Sequence, residues 1–223
     1  MPTPNLMLTA LSLPVALSVS VGHATPANPD STHPFEVAAP PLEDRLYGLS
    51  TLWSEAKFSF AYFDQVPDLD WDAAYLESIP HVVESETMYE YYQELKAFIA
   101  LLEDGHTDVS MPASIDMDSV PLALEPIEGR YYVAHAEVGL HDQVPAGSEI
   151  VSVGGVDTQT YVDSHVAPYI AQSTSHAKAL WGGFYLLRAP VGEDVTFEVM
   201  TPKGDRREIT ASANRYSNFR ETS

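Results

Sequence analysis

From Leu42 to Phe60, apolar side chains recur at steps of four and three: Leu42, Leu46, Leu49, Trp53, Ala56 and Phe60. That spacing sets them on one face of a helix, and Pro67 closes the unit. Asp70 reads as the N-cap of a second, shorter helix with Trp71, Ala74 and Tyr75 on its apolar face, bent or ended by Pro80. Ser85 reads as the N-cap of a third, with Glu86 in the first turn complementing the helix dipole. Met88, Tyr91, Tyr92, Leu95, Phe98, Ile99 and Leu102 form its apolar face, and Gly105 stands where a glycine C-cap belongs. Residues 42–112 therefore predict a helical N-terminal domain, a small bundle.

After Pro112 the period changes from helical to alternating. Val120, Leu122 and Leu124 alternate as in a strand, Glu128-Gly129 offers a tight turn, and residues 130–136 return. Residues 147–153 read as another strand before Gly154-Gly155. Thr158 caps a helical stretch interrupted at Pro168, and a second such stretch runs from His176 to Leu187. Val195, Phe197 and Val199, a turn at residues 202–205, then Ile209 and Ala211 make a hairpin. The fold class is α+β: a small helical bundle followed, over residues 118–215, by a β-rich domain with inserted helices. At helical spacing, Trp53, Trp71 and Trp181 predict core or interdomain packing and not a ligand platform.

The composition narrows the partners. The net charge is −21, from 32 acidic against 11 basic residues, of which only four are lysines. Nothing here could neutralise a row of phosphates, and an anionic membrane would repel the chain, so neither nucleic acid nor a membrane surface is an expected partner. The acidity suits a salty medium or plain solubility. With no cysteine, disulfides, thiol nucleophiles and cysteine-ligated zinc are excluded. Residues 6–21 (LMLTALSLPVALSVSV) form an apolar run followed by Gly22-His23-Ala24, whose small residues suit a cleavage site, although residues 1–5 carry no Lys or Arg. Residues 1–24 are accordingly expected to be an export signal, which places the protein in a periplasm or outside the cell. Residues 25–41, rich in Pro and Ala, are expected to be a spacer.

Three features of the first half resemble one family. They are the aromatic helix end Phe60-Ala61-Tyr62-Phe63-Asp64, Asp70-Trp71-Asp72, and Leu101-Leu102-Glu103-Asp104-Gly105-His106-Thr107 followed by a proline. Residues 147–156 (GSEIVSVGGV), Pro168 to Thr174 and the closing hairpin resemble that family's PDZ-like domain. The family is that of carboxyl-terminal-processing, tail-specific, tricorn-core-like serine peptidases, and the resemblance covers residues 45–215. It implies a PDZ-like second domain that handles substrate tails, followed by a catalytic domain bearing the nucleophilic serine. No GxSxG elbow is present, so residues 216–223 are expected to begin a catalytic domain that this sequence does not include.

His106 follows a helix end and a glycine, so it projects from a loop where a neutral imidazole can take a proton from a serine hydroxyl. The resemblance implies that role of general base, while some members of the family use a Ser/Lys dyad instead, both of whose residues would lie outside this sequence. The alternative is a histidine that only complements the helix dipole. Asp104 stands either as the carboxylate that orients the imidazole or as an ordinary acid at a helix end. Gly139 and Leu140, in the segment 138–140, are candidates for the loop that would meet a peptide carboxylate with backbone N–H groups. His81, His135, His141, His165 and His176 show no tight ligand spacing, so neither a metal nor another cofactor is expected. The expected partners are protein or peptide substrates. The outcome implied is an exported serine endopeptidase in its front part; a non-catalytic secreted peptide-binding module or an inactive fragment is the alternative.

Overall fold

The computed structural model describes residues 35–214 of the 223-residue chain. The expected export signal, most of the expected spacer and the expected start of a catalytic domain lie outside the described residues. Among the described residues no helix is long and apolar enough to cross a membrane.

The helical half consists of α1 (Leu42–Ser59), α2 (Trp71–Glu84) and α3 (Met88–Ala100). In α1 the inward stripe is Leu49, Leu52 and Ala56: Leu49 and Ala56 are buried as the spacing predicts, Leu52 joins them, Trp53 is only half-buried and Leu42 is exposed. The helix stops at Ser59, short of Pro67. Phe60 is extended, and its ring packs edge-on against Phe63 with centroids 5.1 Å apart. Asp70 caps α2 as expected, accepting the Ala73 N–H at 3.0 Å. Pro80 does not end α2. The Leu76 carbonyl, which loses its partner there, belongs to an exposed residue and is open to water.

Ser85 does not cap α3. Its hydroxyl donates back to the His81 carbonyl at the end of α2, at 3.0 Å. The N-cap of α3 is Thr87, in a capping box with Glu90. The end of the expected spacer is tied to the same place. Met88 N–H donates to Val37 O (2.7 Å), Ala39 N–H to Glu86 O (2.9 Å), and Phe35 packs edge-on against Tyr89. A first-turn N–H of α3, which has no acceptor within its own helix, finds one there.

The second half carries β1 (Met117–Ser119), β2 (Leu122–Ile127), β3 (Arg130–Ala136), β4 (Glu149–Val153) and the short β5 (Val156–Asp157). They are followed by α4 (Thr158–His165), α5 (Ser175–Tyr185), β6 (Arg188–Pro190), β7 (Asp194–Met200) and β8 (Arg206–Ser212). The main sheet has the order β2-β3-β4-β7-β8, with β5 also on β4, and β1 pairs with β6. Glu128 and Gly129 turn β2 into β3 with φ of 51° and 78°, the primed turn that matches strand twist. The cap of α4 is Asp157, one residue before the expected Thr158, whose hydroxyl is buried on the Ile150 carbonyl at 2.8 Å. The observed fold is thus α+β, a helical bundle followed by a β-rich half with inserted helices.

Each half has its own core. Leu49, Leu52, Trp71, Tyr91, Leu95 and Phe98 centre the first; Val120, Val133, Ile150, Leu186, Phe197 and Val199 centre the second. The halves meet where α3 packs against a 3-10 turn at Ala167–Tyr169.

Candidate active site

Beyond Ala100, α3 closes through short-range bonds, Leu102 N–H to Ile99 O and Glu103 N–H to Ala100 O, each 3.0 Å. Glu103 then takes a left-handed φ of 50°. The capping position expected of Gly105 therefore belongs to Glu103. Gly105 serves another purpose: a Cβ on it would collide with the Gln172 side chain of the second half.

Next in the chain, Asp104 organises the loop around its carboxylate. The Thr107 hydroxyl donates to Oδ2 at 2.6 Å, and the His106 backbone N–H donates to Oδ1 at 3.3 Å. The His106 ring Nδ1 lies 3.4 Å from the same Oδ1. The imidazole itself is 95% exposed, against 22% for the Asp104 side chain. The arrangement is a carboxylate held from two sides that faces one ring nitrogen, with the other nitrogen turned to open space. Chemically it can fix the tautomer that donates from Nδ1 and leaves Nε2 as a proton acceptor.

The loop is clamped across the seam between the halves. Lys178 of α5 binds Glu103 across the seam at 2.8 Å, and Lys96 of α3 binds Asp108 within the first half at 2.8 Å. A small cavity of about 90 Å³ lies beneath, with Thr107, Tyr169, Gln172 and Trp181 in its wall. Trp181 is thus at the seam but is not core. It is 41% exposed and packs on Phe184 and Tyr185. Trp71, in contrast, is buried as expected, and Trp53 packs on Tyr75.

Gly139 and Leu140 sit elsewhere. Their turn is fixed beside the start of β2, where Glu137 N–H donates to Pro121 O at 3.1 Å, and against β8, where Arg207 donates to the Asp142 and Gln143 carbonyls. Gly139 is exposed at the tip, while the Leu140 N–H is already committed to Glu137 O at 2.9 Å. His81, His135, His141, His165 and His176 are all exposed and scattered over separate elements.

Strand β2 forms one edge of the main sheet. Val133, opposite Leu124, directs its own N–H and C=O toward β4 (2.8 and 2.7 Å), so Leu124 turns its backbone groups outward. Two residues on, Pro126 offers no donor. The backbone of α5 comes close enough at Gly183 that a Cβ there would stand 3.4 Å from the Leu124 carbonyl. An added strand would therefore share the Leu124 edge with α5.

These features can be set beside known proteins. No protein-family model matches the chain, and no curated protein matches its sequence. Among solved structures, mature CPAF in complex with lactacystin aligns over 77% of this chain with a TM-score of 0.66 at 18% identity. Mature CPAF without the inhibitor gives 0.64 over the same 77%, also at 18% identity. The photosystem II D1 C-terminal processing protease aligns over 79% of this chain and 45% of its own length, at 12% identity, but its TM-score of 0.33 carries no weight. The chain has the fold of the corresponding part of CPAF. The chain spans about a third of CPAF, 34% of its length.

Sequence reasoning singled out His106 and Asp104, which the structure brings within 3.4 Å of each other, but missed the Glu103–Lys178 pair. Glu103 and Lys178 are 75 positions apart, and no local pattern links them. The Gly182-Gly183 pair was the one available signal that α5 approaches a backbone closely.

Proposed function

We propose that this chain is the front portion of an exported serine-type endopeptidase, with His106 as its general base. The observation that carries the reading is the Asp104–His106 pair on a loop clamped between two halves whose fold matches the corresponding third of CPAF. In the complete enzyme a serine hydroxyl attacks the scissile carbonyl and its proton passes to His106 Nε2. Asp104 holds Nδ1–H and stabilises the imidazolium, and backbone donors of the catalytic domain hold the oxyanion. The 3.4 Å separation of Nδ1 and Oδ1 is a resting distance that shortens when substrate closes the site. Proteins or peptides are the substrates, and the PDZ-like half receives their tails. The export reading rests on the apolar run at residues 6–21.

Casein hydrolysis by the purified 223-residue chain, compared with the protein translated from the complete reading frame of its gene, tests this. Turnover only by the longer protein is the expected result. Absence of turnover by both, with a C-terminal peptide still bound, would replace the peptidase by a peptide-binding module.

A further inference from the structure

The seam between the halves opens into a cleft of about 330 Å³, with α3 on one side and α4, the 3-10 turn and β6 on the other. It shares Tyr169 and Tyr185 with the small cavity beneath the His106 loop. In a further depression, Lys57 and Asp72 satisfy each other at 2.7 Å.

Several charges of the cleft are committed within the protein. Glu90 accepts the Glu86 and Thr87 N–H groups at 2.7 and 3.0 Å, and Lys96 is paired with Asp108. Arg188 bonds the Tyr185 hydroxyl, lies 5.2 Å from that ring's centre and donates to Met117 O at 3.5 Å. Five other hydrogen-bonding side chains on the cleft wall are not committed. Tyr89, Gln93 and Glu94 of α3, Tyr161 of α4 and Tyr169 of the 3-10 turn are all half-buried, and their polar ends make no hydrogen bond or ion pair among the described residues. Tyr161 and Tyr169 stand near enough to Tyr89 to act on its ionisation, and Glu94 acts on that of Tyr169. Burial raises all three phenols above their ordinary range, so at neutral pH each is an O–H that can donate and accept. Tyr161 also carries the His165 ring, stacked with centroids 4.6 Å apart.

We infer that this cleft binds a neutral disaccharide, its rings against the tyrosine faces and its hydroxyls on the Tyr89, Tyr161 and Tyr169 phenols, Gln93 and Glu94. A sugar has an apolar C–H face and a rim of hydroxyls, each able to donate once and accept twice. The cleft matches both: aromatic faces, and a mixed set of phenols that donate and accept, a carboxamide that does the same and a carboxylate that accepts. An anion would call for donors alone and would meet Glu94; a cation would call for acceptors alone and would meet Arg188. A peptide added to a sheet is read by a row of backbone groups, whereas the free groups here are side chains from two helices and a turn. The volume is at the low end for ligand clefts, which suits two sugar rings and not a polymer. The inference does not rest on the peptidase reading.

The test is saturation-transfer NMR on the full chain with maltose, cellobiose and N,N′-diacetylchitobiose, followed by calorimetric titration. At least one of the three should bind with a millimolar or tighter Kd. Tyr169→Phe and Glu94→Leu each remove a hydrogen-bonding group and keep most of the packing volume. Each should weaken binding by at least about threefold, and the double variant by at least about tenfold, with an unchanged thermal melt. Cationic chitobiose and anionic cellobiouronic acid should bind more weakly than the best neutral disaccharide. No binding of any of the three at tens of millimolar overturns the inference, as does binding unchanged in the double variant or tighter binding of either charged sugar. Displacement of the disaccharide by a capped neutral tripeptide at equal concentration also overturns it, and would make the cleft a stretch of a peptide path. Casein turnover does not enter this test, so the two readings fail separately.

Discussion

In the helical half a few side chains carry the packing. Trp71 stacks on Phe98 with ring centroids 4.2 Å apart, and its indole N–H donates to the Trp53 carbonyl at 3.0 Å. Arg45 reaches from α1 to the end of α2 and donates to the Val82, Val83 and Ser85 carbonyls at 2.8, 3.0 and 2.6 Å. In the strand-rich half no residue has that standing. Val133, Ile150, Phe197, Val199 and Ile209 share an aliphatic core along a hydrogen-bonded ladder. Short helices with few backbone links between them depend on side chains for their mutual placement, whereas strands are placed by their backbones as well. The His106 loop hangs from α3, in the more vulnerable half, and is steadied by α5 of the other.

The comparison can be broken most directly at Phe98, which is 1% exposed. Phe98→Ala should cost about 3–5 kcal/mol in chemical unfolding, from lost burial plus the cavity beside Trp71. A cost under about 1 kcal/mol would mean that the aromatic stack is not the anchor. Arg45→Met comes next. It leaves the last carbonyls of α2 without their donor and should cost about 1.5–3 kcal/mol, read from the shift in urea midpoint at constant slope.

A pH titration sharpens the contrast further. Burial, with Tyr92 beside it, pushes the Tyr91 phenol up to about 12. The folded state holds that proton more tightly than the unfolded state, where the phenol titrates near its ordinary value of about 10. The stability it contributes is therefore whole below about pH 10 and is lost as the pH rises toward 12. The urea midpoint should fall across that window, and Tyr91→Phe should flatten the fall. The smallest effect belongs to the ladder: the Thr196 and Thr210 hydroxyls face each other at 3.0 Å across β7 and β8. Thr196→Ala should cost under about 1 kcal/mol, because the strand pairing persists without it.

How much of this was legible in the sequence follows the same division. The turns at Glu128-Gly129, Gly154-Gly155 and residues 202–205 were readable because positive φ and tight reversals demand particular residues. Helix ends were harder. Ser85 and Thr87 both suit a cap, and only the pairing of Thr87 with Glu90, visible as a T-x-x-E pattern, separates them. Pro80 reads as a break until the exposure of Leu76 is known. At the candidate site, Asp104 and His106 were legible because their relation is local. Lys178 and Gln172 were not, since each gains its meaning from a residue on the far side of the seam.

The pairing of Asp104 with His106 is the central claim, and kinetics on the protein translated from the complete reading frame tests it most directly. His106→Ala should lower kcat for peptide hydrolysis by at least about a hundredfold with KM nearly unchanged, since a general base acts in the transition state and not in binding. Asp104→Asn should show a smaller loss of the same kind. Activity of His106→Ala within twofold of the parent would contradict the account and return His106 to the role of a helix-end histidine.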